Sequence, residues 1–211
     1  AVRAGSAVVH DVAQDNRVYQ WHLGDQAAAD AAFKKAAHVT RLDIVNNRLV
    51  PNAMEPRAAI GDYDSGADSF TLYTTSQNPH VARLVLSAFI GIAPEHKLRV
   101  IAPDVGGGFG YKGILLPEEI ILAKLAMQLG KPLRWIEDRR EQLTANANCR
   151  EHDYEITVYA NHDGRLLGID CEATVDSGAY SSYPFSACLE AAQVSSILPG
   201  PYKMEQYRCK T

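Results

Sequence analysis

Leu98-Arg99-Val100-Ile101-Ala102, then Pro103-Asp104-Val105-Gly106-Gly107-Gly108-Phe109-Gly110-Tyr111-Lys112-Gly113-Ile114-Leu115-Leu116, then Pro117, is the stretch on which the fold turns. It reads as a short apolar strand, a glycine-rich loop, and a helix with proline at its first position. Four glycines within positions 106–110 remove Cβ atoms and let several backbone N–H groups approach a ligand. Such a loop suits something anionic or oxo-rich; the plainer alternative is a turn that binds nothing. Residues 108–113 also spell G-x-G-x-x-G after a strand, which invites a nicotinamide dinucleotide reading. In that fold the third glycine packs inside the helix, whereas here Ile114-Leu115-Leu116 separate Gly113 from Pro117. The helix begins too late. A Walker loop fails as well, because Lys112 follows Tyr111 instead of Gly and precedes Gly113 instead of Ser or Thr.

Upstream, Asn78-Pro79 offers an N-cap and a first-turn proline, and Val81, Leu84, Val85, Ala88 and Phe89 fall on one helical face before Gly91. Ala58 to Tyr63 and Ser69 to Thr75 read as a hairpin around Asp64-Ser65-Gly66-Ala67-Asp68. Val39 to Val45 alternates around Leu42 and Ile44 as a half-buried strand does, and Asp25 to Ala37 is Ala-rich and helix-forming. Residues 1–24 carry no period and are expected as an extended surface segment.

Downstream of Pro117, Leu122, Leu125, Ala126 and Leu129 keep to one side of a helix that Gly130 and Pro132 stop, and Leu133 to Ile136 reads as a strand. Tyr154, Ile156 and Val158 alternate, Asn161-His162-Asp163-Gly164 turns, and Leu167, Ile169, Cys171, Ala173 and Val175 alternate again. This is an antiparallel C-terminal hairpin, a meander where a dinucleotide fold would repeat its strand-helix unit. Residues 186–198 suit one more helix. The expectation is one α+β domain, a mixed sheet with packed helices, over residues 25–211.

The chain has 211 residues and a formal net charge of -4, so it carries no overall basic field for nucleic acid or an anionic membrane. Its apolar runs, such as Leu84 to Ile90, fall far short of the ~20 residues of a membrane span. Neither partner is expected. The first residues lack both an initiating Met and the apolar core of a secretory signal, so the chain is expected to be cut from something longer and cytoplasmic. Cys149, Cys171, Cys188 and Cys209 form no Cys-x-x-Cys and are expected as reduced, mostly buried thiols.

Thr74-Thr75-Ser76-Gln77-Asn78-Pro79-His80 joins a strand end to a helix start, where side chains and free helical N–H groups converge on pockets. By itself it is ordinary. Ser76-Gln77-Asn78-Pro79-His80, then Val105 to Lys112, then Trp135-Ile136-Glu137-Asp138-Arg139, however, come in the order and spacing of one family. The chain resembles the molybdenum-binding large subunit of the xanthine dehydrogenase, aldehyde oxidase and carbon monoxide dehydrogenase family. Pro51-Asn52-Ala53-Met54-Glu55-Pro56-Arg57 resembles that family's upstream Glu-Pro element, and His162-Asp163-Gly164-Arg165-Leu166 its Asp-Gly hairpin.

The resemblance implies the first part of the molybdopterin-binding region of a molybdenum hydroxylase, which oxidises an aldehyde, N-heterocycle or similar small substrate with water as oxygen source. It implies Gln77 as a catalytic residue whose amide donates to an oxo group of the cofactor, and Gln77, Gly107, Gly108, Phe109 and Gly110 as cofactor-binding residues. An amide and main-chain N–H groups stabilise oxo charge without a labile proton. The cofactor is molybdopterin with molybdenum, in bacterial members usually as its cytosine dinucleotide. Because pterin sulfurs hold the metal, no protein metal ligand is expected. Iron–sulfur and flavin subunits or domains are the implied partners. The family's glutamate base belongs to the later half of the large subunit, and Glu118, Glu119 and Glu137 do not replace it. The chain alone is therefore expected to be inactive and to hold no cofactor. Gly113 stands where xanthine-oxidising members carry a purine-orienting glutamate, so xanthine is not the expected substrate. A non-catalytic domain of the same fold, serving as a binding or scaffold module, is the alternative; a Rossmann-type oxidoreductase is the third reading.

Overall fold

A computed structural model describes residues 2, 4–183, 185 and 187–211. In chain order the elements are β1 (His22–Leu23), α1 (Gln26–Phe33), β2 (His38–Asn46), β3 (Ala58–Asp64), β4 (Ser69–Thr74), α2 (Pro79–Leu84), β5 (Leu98–Ile101), α3 (Pro117–Leu129), β6 (Leu133–Ile136), α4 (Arg139–Ala145), β7 (His152–Ala160), β8 (Leu166–Val175), α5 (Ala187–Ile197) and β9 (Gln206–Lys210). The α+β class is as expected. There are two sheets rather than one, each mixed, in two compact units: residues 50–149, and residues 1–49 with 150–211.

In the 50–149 unit the sheet order is β5-β4-β3-β6, with β4 and β5 parallel and the other pairs antiparallel. A parallel pair needs a crossover, and α2 supplies it. Ala59, Phe70 and Leu72 of the sheet pack with Leu86, Leu98, Leu122, Ala123 and Ala126 to form the core. Gly61 sits where sheet and α3 meet: a Cβ there would touch the Ala126 Cβ and the Leu122 carbonyl oxygen at 3.4 Å and crowd the Phe70 ring at 3.2 Å.

Two helical faces differ from expectation. On α2 the buried residues are Ala82 and, one turn on, Leu86, while Leu84, Phe89 and Ile90 are exposed. Ala82 and Leu84 already differ within the α-helical part; beyond them a π-helical turn over Val85–Phe89, closed by the Ile90 N–H on the Val85 carbonyl, takes later residues such as Phe89 out of the α register. On α3 the buried set is Glu119, Leu122, Ala123 and Ala126; Leu125 and Leu129 lie outside it. Gly130 ends the helix in the left-handed conformation, as anticipated.

In the other unit the order is β1-β9-β8-β7-β2, with β8 and β9 parallel and joined through α5. Ile169, Cys171, Ala173, Val194 and Cys209 are its core, and Phe33 of α1 stacks on Tyr159 with ring centroids 3.9 Å apart. All four cysteines are free; Cys171 and Cys209 are buried, Cys149 and Cys188 half-buried. β2 forms where expected but is not half-buried: as the outermost strand it pairs only with β7, and Val39, Leu42, Ile44 and Val45 stay exposed. Position 186 of the expected last helix, and positions 1 and 3 of the N-terminal segment, lie outside the described residues. Within that segment β1 pairs with β9.

Candidate functional site

β4 and β5 lie side by side in parallel, with Tyr73 opposite Ile101, so the connections leaving them open at the same edge of the sheet. One is the Thr75-to-Asn78 connection into α2; the other is the glycine loop. They touch through backbone and side chain. The Gln77 N–H donates to the Lys112 carbonyl at 2.9 Å, and Asn78 Nδ2 to the Gly113 carbonyl at 3.2 Å. Asn78 occupies the anticipated N-cap position before Pro79, yet its side chain makes no cap, having reached the loop instead.

The Gln77 side chain completes the contact. Its Oε1 accepts the Gly110 N–H at 3.0 Å, and a Cβ on Gly108 would fall 2.3 Å from its Cδ and 2.7 Å from its Nε2. Glycine at 108 is therefore what lets the amide lie against the loop. The expected meeting of Gln77 with the loop is observed, and Gln77 is exposed. With Oε1 engaged, the Nε2 end is the free donor. Within the loop, the Gly106 N–H goes to Glu55, that of Gly107 to the Val105 carbonyl at 2.9 Å, and that of Gly110 to Gln77. The N–H groups of Gly108 and Phe109 have no partner among the described residues. Phe109 sits at φ +48° and is 68% exposed, an unfavourable backbone conformation for a bulky residue that its surroundings must impose. The anticipated residues thus divide. Gly107 and Gly110 shape the loop, whereas Gly108, Phe109 and Gln77 offer N–H donors.

Those surroundings come from afar. Glu55 Oε2 accepts both the Gly106 N–H and the Lys112 ammonium at 2.7 Å, and the Lys112 side chain is 0% exposed. The Lys112 ammonium and the Gly106 N–H hold the Glu55 carboxyl below the usual carboxylate range. The segment bearing Glu55 is itself fixed. Arg139 donates to Asn52 Oδ1, to the Ala53 carbonyl at 2.7 Å and to the Met54 carbonyl at 2.9 Å. Gln142 Nε2 donates to the Tyr111 oxygen at 2.8 Å, and the Tyr111 hydroxyl to the Glu55 carbonyl at 3.3 Å. Beneath this, Arg57 and Glu137 form a buried pair at 2.6 Å, with the Arg57 N–H also on Glu137 Oε2 at 2.9 Å. The motifs at 51–57 and 135–139 are two halves of one scaffold.

Sequence reasoning did not assign roles to Glu55, Lys112, Arg139 or Gln142. The signal for α4 was present in Asp138-x-x-Glu141: Asp138 Oδ1 accepts the Glu141 N–H at 2.7 Å and Glu141 Oε2 the Asp138 N–H at 2.9 Å, a full capping box. Glu119 lies in the first turn of α3. It is buried, accepts from the Thr74 hydroxyl and from the Leu116 N–H at 3.0 Å, and burial pushes its carboxyl up.

The unpartnered N–H groups of Gly108 and Phe109 and the Gln77 amide, which lies against Gly108 because no Cβ stands there, are donors of the kind that suits an anionic, oxo-bearing group. Among the described residues no group of three or more His, Cys, Asp or Glu side chains could hold a metal ion. The molybdopterin cofactor-binding domain model matches residues 9–211. The chain belongs to that family. It is 33% identical over 198 residues to the carbon monoxide dehydrogenase large chain of Hydrogenophaga pseudoflava, covering 92% of this chain and 24% of the relative. It is 36% identical over 170 residues to the nicotine 6-hydroxylase large subunit of Paenarthrobacter nicotinovorans, covering 81% and 21% respectively. Quinoline 2-oxidoreductase from Pseudomonas putida 86 superposes with a TM-score of 0.86 at 31% identity, covering 98% of this chain and 26% of that one. The chain spans about a quarter of the length of these relatives. The resemblance read from the motifs, to large subunits of the xanthine dehydrogenase, aldehyde oxidase and carbon monoxide dehydrogenase family, is therefore established. Among the described residues no helix is long and apolar enough to cross a membrane.

Proposed function

We propose that residues 25–211 are the first part of the molybdopterin-binding domain of a molybdenum-containing hydroxylase, with residues 1–24 leading into it. The observation that carries this reading is the Gly110-to-Gln77 hydrogen bond, which engages Oε1 and leaves the Nε2 end, close to Gly108, available to an oxo-bearing cofactor. The cofactor is molybdopterin or its cytosine dinucleotide; when bound it supplies the molybdenum that takes up electrons from the substrate. Gln77, Gly108 and Phe109 hold it by donating, with Gly107 and Gly110 shaping the loop, and none of these groups exchanges a proton with substrate. The nearby ionisable groups are engaged elsewhere: Lys112 with Glu55, Glu137 with Arg57, Glu119 with Thr74. The base that activates water lies in a later part of the protein.

The substrate is a small aldehyde, N-heterocycle or comparable molecule, and electrons leave through iron–sulfur and flavin partners in the cytoplasm. Xanthine is disfavoured, since Gly113 is buried, has no side chain, and commits its carbonyl to Asn78. Metal and pterin analysis of the intact protein, with turnover of a panel of aldehydes and N-heterocycles, tests the reading. Stoichiometric molybdenum with turnover of a panel member is expected. An intact protein free of molybdenum overturns it, and efficient xanthine oxidation overturns the substrate assignment.

A further inference from the structure

The donors of the glycine loop cannot hold themselves in place. From Gly106 to Lys112 the local backbone bonds are few: the Gly107 N–H on the Val105 carbonyl at 2.9 Å, the Lys112 N–H on the Gly108 carbonyl at a long 3.4 Å and the Gly113 N–H on the Gly110 carbonyl at 3.0 Å; three loop residues have positive φ: Gly107 at +92°, Phe109 at +48° and Gly110 at +86°. A chain this rich in glycine has many competing conformations. One carboxylate grips both ends. Glu55 Oε2 takes the N–H of Gly106, where the loop begins, and the ammonium of Lys112, where it ends. The segment that carries Glu55 is fixed from behind by Arg139 on the Ala53 and Met54 carbonyls and by the Tyr111 hydroxyl on the Glu55 carbonyl.

We propose that Glu55 and Lys112 are positioning residues that close the glycine loop in its receptive shape before any cofactor arrives, so that Gln77 and the Gly108 and Phe109 N–H groups are presented as a preformed set. The proposal rests on the molybdopterin reading for what the loop receives. Neither residue touches the ligand. Lys112 is wholly buried under the loop, and the Glu55 oxygen that reaches the loop is occupied by two donors. Their contribution is preorganisation: a loop already ordered loses little conformational freedom on binding. A lysine at 112 acts as one buried point charge against a carboxylate that is itself 39% exposed, which places the pair's strength at the rim of the site.

The test uses the cofactor-free protein, wild type beside Lys112→Met and Glu55→Gln, the second keeping a neutral acceptor for the Gly106 N–H. Backbone amide hydrogen exchange is read at the hydrogen-bonded N–H groups of Gly106, Gly107 and Gly110 and over β3 and β4, and the Gln77 side-chain amide resonance, assigned by its loss in Gln77→Ala, is followed by NMR. Expected in either variant is at least tenfold faster exchange in the loop with β3 and β4 unchanged, and movement of the Gln77 amide lines toward those of a free glutamine. Unchanged loop exchange, or loop and strands accelerating equally, overturns the positioning role; the latter makes the pair a general stabiliser. If one variant does not fold by circular dichroism, the other decides. Both readouts are taken without cofactor, so they judge the positioning role independently of whether the intact protein loads molybdopterin.

Discussion

Two glycine-bearing connections in this chain are held in opposite ways. The β7–β8 turn closes on itself: Asn161 Oδ1 accepts the N–H groups of Asp163 at 3.0 Å and Arg165 at 2.9 Å, and the Gly164 N–H reaches the Asn161 carbonyl at 3.1 Å. No bond in it spans more than four residues. The glycine loop is held by Gln77, 33 positions away, and by Glu55, 51 and 57 positions away. A turn that shapes itself uses up its own polar groups; a loop shaped from outside keeps N–H groups free for a ligand. The first is a fold element and the second the candidate site.

The comparison breaks most severely at the root of the long-range scaffold. Arg57→Met removes the guanidinium from the Glu137 carboxylate, whose side chain is 0% exposed, leaving it the backbone N–H of residue 57 but no countercharge there, and is expected to cost about 3–5 kcal/mol in urea unfolding. A loss under ~1 kcal/mol would mean that the scaffold tolerates an unpaired buried charge. Next in size is Gly108→Ala, whose Cβ lands 2.3 Å from Gln77 Cδ. Because Gln77 is exposed and can swing away, stability should change by less than ~1 kcal/mol, while turnover by the loaded protein falls about 100-fold, the scale of one lost donor. The two effects should separate. Equal loss of stability and turnover would place Gly108 with the self-shaped turns.

The same contrast decides what could be read from sequence. The β3–β4 hairpin, the β7–β8 hairpin and α3 were legible because local residues enforce them: Asp64 on the Gly66 N–H, Asn161 on its turn, Pro117 and Gly130 at the helix ends. β9 was not. Gln206 to Lys210 carries two charges, and its strand state comes from lying parallel to β8, with Cys209 opposite Cys171. The burial of β2 was misjudged because periodicity identifies a strand without saying what covers it. At the candidate site, Gln77 and the glycine loop were legible through family motifs, and a shared cofactor implied that they lie together. The Glu55–Lys112 pair was invisible, since no spacing rule links residues 57 positions apart.

On the self-shaped side, Gly164→Ala puts a Cβ at φ +78° in open space, so the expected cost is backbone strain alone, about 1–2 kcal/mol, with turnover unchanged. It is the mirror of Gly108→Ala. Any loss of turnover beyond that explained by unfolding would tie the hairpin to the site and erase the distinction.

The smallest effect is a pH dependence in which two carboxylates of the 50–149 unit oppose each other. Glu55 is held below its ordinary value of 4.5 by Lys112 and the Gly106 N–H, so its stabilisation is complete above that value and is lost as pH falls through the folded value. Glu119 is raised by burial, against the Thr74 hydroxyl and Leu116 N–H; its contribution is complete below 4.5 and is lost as pH rises through its folded value. Glu55→Gln should therefore flatten the acid side of the Tm profile, and Glu119→Gln the side above 4.5. Each variant also removes a pH-independent contact, so the slopes carry the result rather than the absolute Tm. Glu55 is partly exposed and screened, which limits its share to about 2 °C or less between pH 3 and 5. Flattening on the wrong side in the Glu55 variant would mean that Lys112 does not face an ionised carboxylate, and the loop would then need another clamp.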